Sequence, residues 1–148
     1  MDFARADALN TAIRTIAIRH RALAASMLAE LGLHPGHEVV LLALAMHGPQ
    51  NQKELAAEAN CEPPSITVMV RKLEAAGLVE RAPSAADGRA RVVSLTQKGS
   101  ELIEPLKRRW RTLAEETVAG IDEDAVTELL GGLELLAGNL RARGKLRL

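Results

Sequence analysis

Apolar positions recur every three or four residues along most of this chain and read as strand-like in only two short stretches. That contrast predicts a helical protein with one small hairpin. In a first helix, from about Phe3 to Leu31, the residues Leu9, Ile13, Ile16, His20, Leu23 and Met27 form a heptad-like seam on one face. A stripe of this length exceeds what so small a chain can cover, and a helix from a second subunit is a natural cover. A second helix is predicted after His34, with Pro35 at its first position. Its segment VVLLALAM is apolar on all sides, as expected of a buried central helix, and Gly48-Pro49 ends it. A short third helix opens with Asn51 and Glu54 in capping-box spacing, points Leu55, Ala56 and Ala59 inward, and ends at Asn60, a residue suited to a left-handed cap. A fourth starts near Pro63 after Glu62, which the proline holds extended and which can act as the cap. Ile66, Met69, Val70 and Leu73 form its apolar face, and Gly77 stops it. LVERA and RVVSL read as strands around the turn-rich loop PSAADG. A fifth helix covers Thr96 to Gly120, with a kink or a loose first turn expected at Pro105. Asp122 caps a last helix in which Val126, Leu129, Leu133, Leu136 and Leu140 repeat at helical spacing.

Composition agrees with this pattern. Of 148 residues 47% are hydrophobic, with one Phe, one Trp and no Tyr, so the core is aliphatic and helix-forming. The length suits one domain with or without an appended element. The formal net charge is zero, so any case for a nucleic-acid partner rests on local charge. One cysteine excludes a disulfide framework and a Cys-rich zinc module, and fits a reducing cytoplasm. The opening MDFARADALN carries charges of both signs and is not a secretory signal, and the longest apolar stretch, Val39 to Met46, is too short to span a bilayer. A soluble, cytoplasmic protein without a membrane partner is expected.

Two short helices joined by a tight turn, followed by a hairpin, describe a winged helix-turn-helix, whose second helix enters the major groove of DNA. Opposite the apolar face of the fourth helix stand Pro64, Val68, Arg71 and Ala75, flanked by Ser65, Thr67 and Lys72. Small residues allow close approach to base edges, hydroxyls bond bases or phosphates, and the two cations bond guanine or phosphate. Val68 has two readings: contact with a thymine methyl, or ordinary exposure of a single aliphatic. The hairpin tip carries Asp87-Gly88-Arg89, with Arg91 beyond. An arginine on a narrow projecting loop suits the minor groove, with Asp87 orienting its guanidinium.

The segment GPQNQKELAAEA and the longer EPPSITVMVRKLEAAGLVERAPSAADGRARVVSLTQKG, from Gly48 to Gly99, resemble the MarR family of regulators. The family's wing pattern, D-x-R, then an apolar strand and L-T-x-x-G, is met by Asp87, Arg89, Val93, Leu95, Thr96 and Gly99. The flanking helices match in length and placement rather than in sequence. The resemblance implies a mainly α fold with a small β-hairpin wing (α+β). In it, residues 1–34 and 97–148 form a helical dimerisation region around a winged helix-turn-helix lobe of residues 35–96. It implies a homodimer on a pseudo-palindromic double-stranded DNA operator, acting as a repressor that a small anionic or phenolic ligand releases. Contacts to DNA then fall to Gln52, Lys53, Pro64, Ser65, Thr67, Val68, Arg71 and Lys72 on the helices, and to Asp87, Arg89 and Arg91 on the wing. An effector would sit where the first, second and fifth helices meet, near His20, His34 and Trp110. Many members carry an arginine where Val68 stands, which leaves this chain less hydrogen-bonded readout.

Cys61, at the turn before the fourth helix, reads as a small core residue, with a redox-sensing role as the alternative. The four histidines show no metal-ligand spacing, and neither a metal nor a cofactor is expected. Lys107, Arg108, Arg109 and Arg111 form one basic cluster and Arg141, Arg143, Lys145 and Arg147 another, with an acidic region between them. Nucleophile-elbow, P-loop and dinucleotide motifs are lacking, so an enzyme is not expected. The rival class is a winged-helix module that binds protein rather than DNA.

Overall fold

A computed structural model gives the architecture and describes residues 1–89 and 91–144. Lys145 and Arg147 of the basic tail therefore lie outside the described residues, as does the side chain of Arg143. The chain runs α1 (Phe3–Ala29), α2 (His37–His47), α3 (Gln52–Glu58), α4 (Pro63–Ala75), β1 (Val79–Pro83), β2 (Arg91–Leu95), α5 (Gln97–Thr117) and α6 (Glu123–Gly144). This is the helical order with a single hairpin that the pattern predicts. Two compact units result, Met1–Leu113 and Ala114–Leu148.

In the first unit α2 is central. Val40, Leu41, Ala43 and Leu44 are buried against Leu28 and Leu33, against Leu55 of α3, and against Ile66, Val70 and Leu73 of α4. Leu78, Val79 and Val93 of the hairpin region and Ile103 and Leu106 of α5 close the cluster. Each of the Val, Leu and Ile side chains among these contributes about 1.5–3 kcal/mol by leaving water. A smaller cluster joins Ala24 and Met27 of α1 to Leu113, with Leu23 and Trp110 against it. The lower end of the α1 seam is thus covered within the chain. Leu9, Ile13 and Ile16 higher on the seam remain exposed.

The helices follow local chemistry, with several departures from expectation. α2 begins at His37, not at Pro35, because its N-cap Gly36 is left-handed at φ 98°. A left-handed residue cannot sit inside a right-handed first turn. Glu62 is extended as expected, yet its side chain makes no cap. The next two residues, Pro63 and Pro64, have no N–H to give it, and the N–H of Ser65 already donates to the Glu62 carbonyl at 2.9 Å. Met46 leaves the core at 77% exposure, so α2 is not covered on all sides. The α3 capping box is complete: Glu54 N–H donates to Asn51 Oδ1 at 2.9 Å, and Asn51 N–H to Glu54 Oε2 at 2.8 Å. Asn60 adopts the left-handed cap, φ 47°.

β1 and β2 pair antiparallel from Val79↔Leu95 to Pro83↔Arg91. Gln50, in the turn after α2, adds a short third edge by exchanging both backbone bonds with Val93, at 3.0 and 2.7 Å. The L-T-x-x-G segment anchors the hairpin's exit. Thr96 Oγ1 donates to the Gly77 carbonyl at 2.6 Å and accepts the N–H of Gly99 at 3.0 Å, capping α5. A Cβ at Gly99 would lie 2.0 Å from the Leu78 carbonyl oxygen. α5 runs unbroken through Pro105 and ends at Thr117, short of the expected Gly120.

In the second unit, Asp122 caps α6 by accepting the N–H of Ala125 at 2.9 Å. No described side chain of α6 is buried, and Leu129, Leu130, Leu133, Leu136 and Leu140 are exposed. Among the described residues no helix is long and apolar enough to cross a membrane.

Candidate nucleic-acid interface

The amphipathic sequence of α4 sorts its side chains cleanly. Ile66, Val70 and Leu73 are buried, which turns Pro64, Ser65, Val68, Arg71 and Lys72 outward. Val68 is 49% exposed, a branched aliphatic standing in solvent beside two cations. Neither Arg71 nor Lys72 has an ion-pair partner among the described residues. The Thr67 hydroxyl is half-buried, 3.0 Å from Gln52 Oε1 and 3.0 Å from the Pro63 carbonyl. Its one proton serves one acceptor at a time. Both contacts hold together when the Gln52 amide turns its NH2 toward the hydroxyl. Gln52 and Thr67, both expected at DNA, therefore also join α3 to α4. Lys53, next to Gln52, is exposed.

At the wing, Asp87, Arg89 and Arg91 are all exposed. Ser84 Oγ accepts the N–H groups of Ala86 and Asp87 at 3.2 and 3.4 Å, and Asp87 Oδ1 accepts the backbone N–H of Arg89 at 3.0 Å. Asp87 thus shapes the turn's backbone. The expected contact to the Arg89 guanidinium is not among the ion pairs of the described residues. A short aspartate side chain reaches an amide two residues on more readily than the guanidinium at the far end of that residue's side chain.

Sequence reading did not single out Arg81. It lies opposite Val93 in the hairpin register, and its Nη2 is 3.2 Å from Oε2 of Glu74 at the end of α4. Strand alternation was the available clue, since Val79 and Arg81 must share a face.

The residues expected around an effector are placed apart in character. His20 is exposed on α1, Trp110 packs between the two core clusters, and His34 is exposed and edge-on to His37, ring centroids 5.4 Å apart. None of the three lines the cavity of about 370 Å³ formed by Leu31, Gly32, Ala76, Leu78, Lys98, Glu101 and Leu102. His37 is buried, and its Nδ1 accepts the His34 N–H at 3.3 Å. Burial, and after it the nearby His34 and Lys72, lower its pKa. Cys61 is half-buried against the main core. Among the described residues no group of three His, Cys, Asp or Glu side chains could hold a metal.

The sequence profile of the MarR family matches residues 33–90. An HTH-type transcriptional repressor, IacR, of Pseudomonas putida is 33% identical over 101 residues, which make up 68% of this chain and 60% of that protein. The chain therefore spans less than two thirds of that repressor. An HTH-type transcriptional regulator of Mycobacterium bovis is 30% identical over 96 residues, 65% of this chain and 67% of that protein. Among solved structures, a transcriptional repressor, CouR, bound to a 23-mer DNA duplex is 27% identical with a TM-score of 0.79, covering 87% of this chain and 92% of its own.

Proposed function

Given that the chain belongs to the MarR family, we propose that it is a cytoplasmic, dimeric, sequence-specific repressor that docks α4 in the major groove and Arg89 in the minor groove of double-stranded DNA. The observation that carries this reading is the outward face of α4. Ser65, Val68, Arg71 and Lys72 are free to meet a duplex while Ile66, Val70 and Leu73 anchor the helix from behind. In this reading the cations contact phosphate or guanine, and Val68 packs on a thymine methyl. The likeness to a repressor held on a 23-mer duplex supports the same assignment. Residues 1–34 and 97–148 act as the dimerisation region around the lobe of residues 35–96. Exposed Leu9, Ile13 and Ile16 on α1, and separately the exposed leucines of α6, are the surfaces a second copy would cover. Two-fold symmetry then sets two copies of α4 on a pseudo-palindromic site. A small anionic or phenolic effector completes the proposal, and the protein acts as a regulator rather than an enzyme.

The test starts with duplex fragments selected from a random pool by the purified chain. Arg71→Ala with Arg89→Ala should weaken binding and flatten its salt dependence by about 0.9 in log–log slope for each phosphate left unneutralised. Dimer mass by sedimentation should not change. Undiminished affinity in the double variant would remove the assigned face.

A further inference from the structure

We propose that Arg81 is a positioning residue that sets the wing against the recognition helix by gripping Glu74. Residues directly opposite in a ladder share a face. The inner face of the three-edged ribbon therefore reads Gln50, Val93 and Arg81 in a row, about 5 Å between neighbours. Val93, in the middle, is buried. Arg81 Nε and Gln50 Oε1 on either side of it are buried without a partner. An aliphatic residue would fill such a place with less cost, because a guanidinium whose Nε–H is buried and unmet is a poor route to stability. Arg81 instead spends its charge on direction. Its Nη2 reaches Glu74 Oε2 at 3.2 Å. Glu74 lies on the same helix as Val68 and Arg71, and Arg81 lies on the strand that leads to Asp87 and Arg89. The pair therefore ties the end of the base-reading element to the root of the arm. Gln50 fixes the opposite edge through its two backbone bonds to Val93. A wing held on both edges presents Arg89 at one angle to α4, which is what simultaneous docking in two grooves requires.

This inference rests on the DNA-binding reading above, and a thermodynamic cycle separates the two. The probe is the fragment that the unmodified full chain selects. Failure of that chain to select any fragment defeats the DNA-binding reading itself. With a fragment in hand, Glu74→Gln and Arg81→Met are each expected to weaken binding by about tenfold, and by less than about twofold once Arg89→Ala is present, since the grip acts through the wing arginine. Glu74→Gln keeps Arg81 in place at a half-exposed site, so it reports even where Arg81→Met fails to fold. The charge exchange Glu74→Arg with Arg81→Glu should recover most of the loss. A loss of equal size with and without Arg89 overturns the inference, because Arg81 would then touch phosphate itself or act only on the fold. Unchanged affinity in Glu74→Gln overturns it as well.

Discussion

The hydroxyl of Thr67 in the middle of α4 sits 3.0 Å from Oε1 of Gln52 at the start of α3, so the two helices of the helix-turn-helix share a polar stitch as well as a core. Gln52 is the first residue of a helix whose capping box already fixes its first turn. The stitch therefore ties α4 to a rigid point. Thr67→Val removes the hydroxyl and keeps the shape. It is expected to cost about 1 kcal/mol, since both partners are only half-buried and water replaces part of the missing bond. Thr67→Ser should lose less than half of that. Urea unfolding of the three proteins checks the ranking, and a valine variant as stable as the parent would show the stitch to be idle.

Gly99 supports a sharper expectation. The first turn of α5 passes over the Leu78 carbonyl so closely that an added Cβ would stand 2.0 Å from the oxygen. Backbone, not a flexible side chain, occupies that place. Gly99→Ala must therefore push α5 away from the hairpin and break the Thr96 cap on the Gly99 N–H. A loss of about 3 kcal/mol is expected, at the upper end for overpacking. An alanine elsewhere in a first helical turn would be neutral or favourable. Denaturant midpoints decide between the two, and a stability within about 0.5 kcal/mol of the parent contradicts the close approach.

Most of the architecture was legible because period and punctuation agreed. Leu55, Ile66, Val70 and Leu73 were placed inward by spacing alone, and Asn51 with Glu54 announced a capping box that both hydrogen bonds complete. The misses share a physical origin. Pro35 looked like a helix start, but the left-handed Gly36 after it moved the boundary, and φ is not written in the residue pattern. Gln50 is not marked by any local pattern, because its pairing with Val93 is made across some forty positions of chain. Arg81 is different, since its partner stands only seven positions before it. Its partner Glu74 lies on another element, and only the folded hairpin brings the two together. Of the candidate site, residue types and outward facing could be read from α4. The roles of Gln52 and Asp87 as organisers of backbone and helix needed coordinates.

The last expectation concerns pH and starts from His37. This first residue of α2 is buried, and its Nδ1 accepts a backbone N–H from His34, which requires that nitrogen to carry no proton. Burial is the largest influence on the ring, followed by His34 and by Lys72 of α4, and all three disfavour the charged form. The Glu38 carboxylate beside it is engaged by the Gly36 N–H at 2.7 Å. The folded pKa of His37 therefore lies below the ordinary imidazole value of about 6.5 that the unfolded chain keeps. Above that value neither state binds the proton and the ring has no effect on the balance. As pH falls through it, the unfolded chain takes up a proton that the folded chain refuses, so stability drops, by at most about 1.4 kcal/mol for each further pH unit. The loss levels off once the folded ring titrates too. His37→Asn keeps an acceptor for the His34 N–H and has nothing to titrate. Unfolding free energies measured from pH 8 to pH 5 should thus run parallel for parent and variant at the alkaline end and separate below about 6.5, with the parent falling faster. Curves that stay parallel to pH 5 would mean that the buried ring accepts its proton as readily as a free one, and that the start of α2 is open to water.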